Sequence, residues 1–369
     1  MNSCFLKKKF KPLLKWPGGK TRDLNYLINH CPNVFVKSIA NYYEPFLGGG
    51  AAWLMFKSDT MFVNDICPDL MHFYALVSIK DQAFFDYTEA ATQNWHLLTE
   101  IMNESPDNVH TFSADALATW IKGYESRIMP ALFTQKDEEH YREQIYVAVK
   151  LIPNKIKRMR EKSERTKKKL TPEYFRQAIE ASLKSAFYTH VRYLYNTTEQ
   201  GPLRTFCFYF LREYAFSSMF RFSASGDFNV PYGGMSYNRK SPNSRLEYWK
   251  SAALQEYLDR TNFYCGDYLK FLRANPPKKG DFVFVDPPYD SDFSSYDGRD
   301  FNEKKQKELA RYLTKECKAS FLGIMKNTEL IDKLYKHPNI AKMYFDKTYS
   351  VSFMDRNDQK AEHVVITRN

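Results

Sequence analysis

Residues 282–289 read Phe-Val-Phe-Val-Asp-Pro-Pro-Tyr, an all-apolar strand that runs straight into an acid, two prolines and a tyrosine. Open α/β sheets bind ligands at the carboxyl ends of their strands, which puts Asp286 and Tyr289 at such a crevice. Pro287 and Pro288 have no N–H groups and restricted φ, so backbone carbonyls there are left without a local donor. The Asp286 carboxylate and the Pro287 carbonyl therefore form a rigid acceptor pair for both hydrogens of an exocyclic amine, and the Tyr289 ring offers a face for a stacked base. An amine conjugated to an aromatic ring is a weak nucleophile. Two acceptors holding its N–H bonds favour a more pyramidal nitrogen and free the lone pair, which suits methylation without a covalent enzyme intermediate. The same residues also read as an acid and prolines that simply cap a buried strand.

The flanking chain has α/β texture. A glycine turn at 17–20, a helical pattern over 21–29, one or two strands over 34–46, a short helix beginning near Ala51 and a strand over 60–64 read as a βαβ unit with parallel strands. After Asn262 the texture returns, with strands expected over 262–265, 281–285, 321–325, 342–345 and 363–367 and a helix over 303–316. Residues 43–52, Tyr-Glu-Pro-Phe-Leu-Gly-Gly-Gly-Ala-Ala, join strand, glycine loop and helix without the spacing G-x-G-x-x-G, so a pyrophosphate is not the expected ligand. Asp65 follows at the end of the next strand, where an acid can accept both hydroxyls of a ribose. Glycines that admit a ligand close to the backbone, together with this acid, suit an adenosyl group lacking phosphates; the loop also reads as a plain tight turn. In Lys15-Trp16-Pro17-Gly18-Gly19-Lys20 the end of a P-loop is present, but Leu14 stands where its first glycine belongs and that reading fails. Trp16 and Lys20 can instead close over a cofactor, the indole stacking and the ammonium meeting a carboxylate. An ordinary surface turn with a partly buried Trp is the alternative.

Composition sets the class of partner. The 369 residues carry 54 Lys+Arg against 43 Asp+Glu, a formal net charge of +11, with 43% hydrophobic residues, which excludes a disordered or fibrous chain. A basic excess favours a polyanion through long-range attraction and counterion release, and nucleic acid is the first candidate. Six scattered cysteines include no C-x-x-C pair, so neither a zinc site nor a disulfide framework is expected. The longest apolar runs, 206–211 and 282–285, are strand-sized and far below the ~20 residues of a membrane span. Lys7, Lys8 and Lys9 lead into Lys11 and Pro12 instead of an apolar segment, so a soluble, intracellular protein without a secretion signal is expected.

Between 71 and 200 the pattern is long and helical, with breaks expected at Pro106, Pro130, Pro153 and Pro172. Within it, Lys150, Lys155, Lys157, Arg158, Arg160, Lys162, Arg165, Lys167, Lys168 and Lys169 face only Glu161 and Glu164, which reads equally as a solvated helix face or a phosphate-tracking surface. Aromatic residues then crowd over 206–257, and 221–232 has the look of a β-hairpin or loop. Arg and aromatics on a projecting hairpin suit base contacts, although such crowding also marks a core.

Residues 15–20, 44–51, Asn64-Asp65 with Pro68-Asp69-Leu70, 221–233, Phe263-Tyr264-Cys265, 286–289 and 362–369 stand in the same order as in DNA adenine methyltransferases of the Dam type, and the chain resembles that family over nearly its whole length. The resemblance implies a Rossmann-like class I methyltransferase α/β sheet, interrupted by a helical and β-hairpin target-recognition region. Its expected parts are methyltransferase segments at 1–80 and 261–369, a helical insert at 81–200 and a hairpin region at 201–260. It implies methyl transfer from S-adenosylmethionine to N6 of adenine in double-stranded DNA, with the base flipped out of the helix. By that likeness Trp16, Lys20, Phe46, Gly48, Gly50, Asp65, Asp267, Tyr268 and Asp286 contact the cofactor, and Asp286, Pro287, Pro288 and Tyr289 hold the adenine. Lys15, Phe216, Arg221 and Pro231 are carried over as DNA contacts, no metal is implied, and a cognate restriction endonuclease is a partner left open. Ser217-Ser218 replaces an Asn-Gly that the family often shows, so the target 5′-GATC does not follow, and the stretch over 81–200 exceeds what compact members need. Methylation of cytosine N4 or of adenine in RNA, and a catalytically silent DNA-binding protein of the same fold, stay open as alternatives. Methylation of a protein amide usually goes with Asn in place of the acid.

Overall fold

In chain order the elements are α1 (Thr21–His30), β1 (Asn41–Glu44), β2 (Thr60–Asp65), α2 (Pro68–Ser78), α3 (Gln82–Asn103), α4 (Ala114–Lys122), α5 (Glu125–Ile128), α6 (Gln135–Thr166), α7 (Pro172–Thr197) and α8 (Pro202–Tyr214). They continue with α9 (Leu246–Lys250), α10 (Ala252–Leu258), β3 (Thr261–Cys265), α11 (Tyr268–Ala274), β4 (Phe282–Val285), α12 (Glu303–Arg311), β5 (Ser320–Lys326), α13 (Glu329–Leu334), β6 (Ala341–Thr348) and β7 (Lys360–Arg368). The computed structural model describes residues 10–16, 20–30, 38–128, 135–167, 169–288, 301–348 and 360–368. They fall into two units, Met1–Ala75 with Ala252–Asn369, and Leu76–Ser251.

The first unit is built on a seven-stranded sheet of order β3-β2-β1-β4-β5-β7-β6. Strands β3, β2, β1, β4 and β5 run parallel, and β7 lies antiparallel to both β5 and β6. This is the open, mostly parallel Rossmann-like sheet that the sequence resemblance implies. Strand order reverses between β1 and β4, so the crevice at their carboxyl ends is the topological switch point where such sheets take ligands. β4 is buried along its whole length because both sheet faces are covered: Val283 and Val285 join Tyr43 and Leu309 on one side. Phe282 and Phe284 meet Phe56 on the other, with ring centroids at 5.1 and 6.4 Å. The short helix expected near Ala51 is one buried 3-10 turn, Trp53–Met55. β1 is described only from Asn41, and most of the expected strand before it lies outside the described residues.

The second unit is helical, and it corrects one expectation. Residues 206–211, strand-sized in length, are part of α8, where every residue from Thr205 to Tyr214 is buried. A short run that is apolar all round lacks a period that separates strand from buried helix, and here its rings pack on Trp95 of α3 and Phe187 of α7. Pro153 does not break the chain but sits inside α6. The stripe Tyr141, Ile145, Val149, Ile152 and Ile156 is buried on both sides of the proline, and its packing against α7 outweighs the roughly 3 kcal/mol that an interior proline costs a helix. Pro172 opens α7 at its first turn, Pro106 lies between α3 and the next turn, and Pro130 lies outside the described residues.

At the centre of this unit Lys184, fully buried on α7, pairs with Glu180 at 2.7 Å and donates to Thr99 Oγ1 at 2.8 Å and the Asn238 carbonyl at 2.7 Å. Removing one partner of such a pair strands the other charge. Lys184→Ala is expected to lower unfolding stability by about 3–5 kcal/mol, and the double change Lys184→Met with Glu180→Gln to recover most of it, as read by urea unfolding.

Candidate functional site

Three acids converge at the carboxyl ends of the central strands. Glu44 closes β1, Asp65 closes β2 and Asp286 follows β4 directly. Tyr42 pairs in register with Phe282, so by the two-residue period of a strand Glu44 and Asp286 continue the same face of the sheet. Lys20 stands opposite. Its carbonyl accepts from Leu24 N to open α1, and its ammonium, on a side chain only 5% exposed, lies 2.7 Å from Asp286 Oδ1. Pro287 is buried and Pro288 exposed, whereas Tyr289 lies outside the described residues.

The glycine loop is shaped by aromatic rings. A Cβ at Gly49 would fall 2.8 Å from the Trp16 Cβ, and one at Gly50 2.8 Å from the Trp53 ring. Gly48 and Gly50 also adopt φ of +49° and +67°, which glycine alone tolerates without strain. The amides of this loop turn inward: Gly48 N donates to Asp65 Oδ2 at 2.8 Å and Gly50 N to the Leu47 carbonyl at 2.9 Å. Amides committed in this way do not form an anion-binding nest of the kind that holds phosphates. Asp65 also accepts from Cys67 N through Oδ1 at 3.0 Å, so the carboxylate orders the entry to α2 as well as the loop.

The remaining expected residues divide by element. Lys15 and Trp16 are half-buried, with Trp16 over the loop; Pro17, Gly18 and Gly19 lie outside the described residues. Phe46 packs on Tyr268 at 5.0 Å and edge-on to Phe301 at 5.4 Å. Tyr268 is buried, donates its hydroxyl to the Lys305 carbonyl at 2.9 Å, and its phenol is pushed above its ordinary pKa chiefly by burial. Asp267 caps α11, accepting from Leu269 N and Lys270 N at 3.0 and 3.1 Å. Phe216, Arg221 and Pro231 belong to the second unit.

There, residues 215–233 fold back on themselves through the antiparallel bridges Ala215 with Tyr232 and Phe222 with Phe228. Phe216 is 47% exposed, and its amide donates to the Pro231 carbonyl at 2.9 Å. Arg221 is exposed, its Nε donating to Asn229 Oδ1 at 3.0 Å. Ser217 and Ser218 have φ of +51° and +54°, the left-handed region that Asn and Gly enter most readily. One face of α7 splints this segment. Asn196 exchanges hydrogen bonds with the Phe228 backbone at 2.9 and 3.2 Å, Tyr188 donates to the Val230 carbonyl at 2.9 Å, and Lys184 holds Asn238.

Sheet and side chains together define an open α/β fold with a polar crevice at the carboxyl ends of β1, β2 and β4, the place where such sheets take ligands. A model of the D12 class N6 adenine-specific DNA methyltransferases matches residues 16–109 and 139–350, most of the chain. The chain belongs to this family, and its activity is site-specific methylation of adenine in DNA. It is 22% identical over 360 residues to a DNA adenine methylase of Vibrio cholerae, covering 95% of this chain and 94% of that one. It is 24% identical over 352 residues to a type II methyltransferase of Methanocaldococcus jannaschii, with 90% of each covered. A DNA N-6-adenine-methyltransferase of Escherichia phage P1 is 30% identical over 173 residues, which are 44% of this chain and only 21% of that protein.

Two residues that fall within the quoted motifs carry no role in the sequence reading. Asn64 is buried and its amide bridges the Pro45 and Gly266 carbonyls at 3.1 and 3.0 Å, tying the loops after β1 and β3 together. Glu44 is 2% exposed and accepts from the Tyr42 hydroxyl at 2.7 Å. Burial pushes its carboxyl well above the usual range, and the nearby Asp286 and Asp65 add to this. The signal available was an acid two residues after a tyrosine on a buried strand, which places both on one face. Because folded Glu44 holds its proton above the unfolded pKa of about 4.3, stability falls as pH rises from there towards the raised value, by at most about 1.4 kcal/mol per pH unit. Glu44→Gln is expected to flatten that decline in urea midpoints measured from pH 4.5 upwards. An unchanged pH dependence contradicts a proton held at Glu44.

Proposed function

We propose that the chain transfers the methyl group of S-adenosylmethionine to N6 of an adenine turned out of duplex DNA. The observation that carries this reading is the place of Asp286 at the switch point, directly before Pro287, with its carboxylate held by a nearly buried lysine. The donor set fits an adenosyl group: Trp16 and Phe46 supply ring surface, Gly48 and Gly50 a close-lying backbone, and Asp65, Asp267 and Asp286 acceptors, while the inward-turned loop amides disfavour a phosphate. Trp16, Lys20, Phe46, Gly48, Gly50, Asp65, Asp267, Tyr268 and Asp286 are therefore the residues proposed to hold it. S-adenosylmethionine, when bound, supplies an electrophilic methyl carbon on a positively charged sulfur.

The chain's own contribution is position. Asp286 and the Pro287 carbonyl accept the two amino hydrogens, turning the nitrogen lone pair out of conjugation, and Tyr289 is assigned the stacked base. Lys20 fixes the Asp286 carboxylate, so the acceptor is oriented before the base arrives. Extrusion of the base costs a few kcal/mol of stacking and pairing. Phe216, exposed on its turn, is proposed to stand against the gap in the stack. Arg221 is proposed to read a base edge, with Pro231 and Lys15 as flanking contacts. A cognate restriction endonuclease is compatible with this activity, and type II methyltransferases are among the relatives.

Incubation with labelled S-adenosylmethionine and unmethylated genomic DNA, followed by digestion to nucleosides, is expected to give N6-methyladenine and no N4-methylcytosine. Asp286→Ala is expected to abolish product while DNA binding is largely retained; comparable turnover refutes the role given to Asp286. Loss of a guanidinium that reads a base is worth about 1–3 kcal/mol of discrimination. Arg221→Ala is accordingly expected to relax the mapped target sequence by one to two orders of magnitude at one position.

A further inference from the structure

The basic run is the part of this chain that methyl transfer does not account for. Ten Lys and Arg against two Glu give residues 150–169 a net charge of +8, in a chain whose total is +11. The structure sorts these ten. Lys155 turns inward to donate to the Ala178 carbonyl at 3.0 Å and Ser182 Oγ at 2.9 Å. Arg160 donates to the His110 carbonyl at 3.2 Å and lies over the Phe175 ring. Lys168 lies outside the described residues. Lys150, Lys157, Arg158, Lys162 and Arg165 are exposed on the side of α6 opposite its buried stripe, and Lys167 and Lys169 are exposed just beyond its end.

An ordinary solvated face alternates signs at i,i+4, because like charges there destabilise a helix by a few tenths of a kcal/mol per pair. Here Lys157, Glu161 and Arg165 alternate at that spacing, but Arg158 and Lys162 stand at it as like charges, with Lys162 and Arg165 one residue closer. Among the described residues none of these exposed cations forms an ion pair with a carboxylate. The helix dipole rewards cations only within the last turn, and Lys150, Lys157 and Arg158 lie earlier than that. The acids of α6 are concentrated in its first third, at Asp137, Glu138, Glu139 and Glu143, so charge is segregated along one helix instead of balanced.

We propose that the outer face of α6 from Lys150 to Arg165 is a sequence-independent binding surface for the phosphate backbone of duplex DNA outside the methylated site. The inference rests on DNA being the substrate, as the family establishes. At 1.5 Å per residue the stripe is about 22 Å long, and a duplex carries one negative charge per about 1.7 Å of its axis. The net charge of the stripe is opposite in sign to that of the duplex beside it. Such contacts hold DNA near the enzyme without reading it, and each releases counterions on binding.

A duplex made only of G·C pairs contains no adenine and cannot be methylated, so it isolates this surface from the active site. Its binding to the full-length protein is read by fluorescence anisotropy between about 50 and 200 mM salt. The triple variant Lys157→Gln, Arg158→Gln and Lys162→Gln is expected to bind at least tenfold more weakly at the low-salt end, with the slope of log affinity against log salt flattened by about 2 to 3. A second variant, Lys150→Gln with Arg165→Gln and Lys167→Gln, is expected to act in the same direction, and Arg158→Lys to leave the slope unchanged. An unaltered slope in both multiple variants overturns the proposal, including the case in which this face meets another protein or solvent only. Asp286→Ala is expected to bind this duplex as the wild type does, so loss of methylation and loss of this surface are separate results.

Discussion

An ion pair links the segment before α1 to the end of β4: Lys20 Nζ and Asp286 Oδ1, 2.7 Å apart, on side chains 5% and 19% exposed. Two charges taken this far from water need each other, since either left alone faces a desolvation penalty of several kcal/mol. Burial above all raises the carboxyl of the third acid at the switch point, Glu44, and the nearby Asp286 and Asp65 add to it. Glu44 lies deeper than Asp286 and accepts a hydrogen bond from the Tyr42 hydroxyl.

The sheet was legible where strand ends coincide with residues that cannot continue a strand. Phe282–Val285 stops at Asp-Pro-Pro, and the acid falls at the carboxyl end of β4 as the pattern requires. Order along the chain also made the interruption of the α/β texture visible. Pro153 and the run at 206–211 were not legible, because their outcomes depend on partners far away in sequence: α7 beneath the proline-bearing α6, and Trp95 beside α8. A proline penalty or an apolar period read locally has no access to those partners.

In the glycine loop the same limitation takes another form. Close backbone approach is written in Gly48-Gly49-Gly50, but what approaches is Trp16 and Trp53, which lie 33 and 3 residues from Gly49 and Gly50. The inward hydrogen bond from Gly48 N to Asp65 then separates this loop from a phosphate cradle on geometry rather than on a missing motif. Ser217 and Ser218 make the converse point. Their left-handed backbone is one that Asn and Gly enter more readily, so two serines in the sequence give no sign of this turn.

The two roles proposed for the second unit fall on two different surfaces. The segment from Phe216 to Asn238 is pinned by side chains of α7, a rigid mount suited to reading bases, whereas the exposed cations of α6 lie on long flexible stems suited to tracking phosphates. The most direct test of the central claim is a crystal structure of the protein with a non-reactive S-adenosylmethionine analogue and a duplex bearing the mapped target. The expected result is an extruded adenine whose amino nitrogen lies within hydrogen-bond distance of both the Asp286 carboxylate and the Pro287 carbonyl. An adenosyl group lodged away from Asp65, or Asp286 turned from the base, would contradict it.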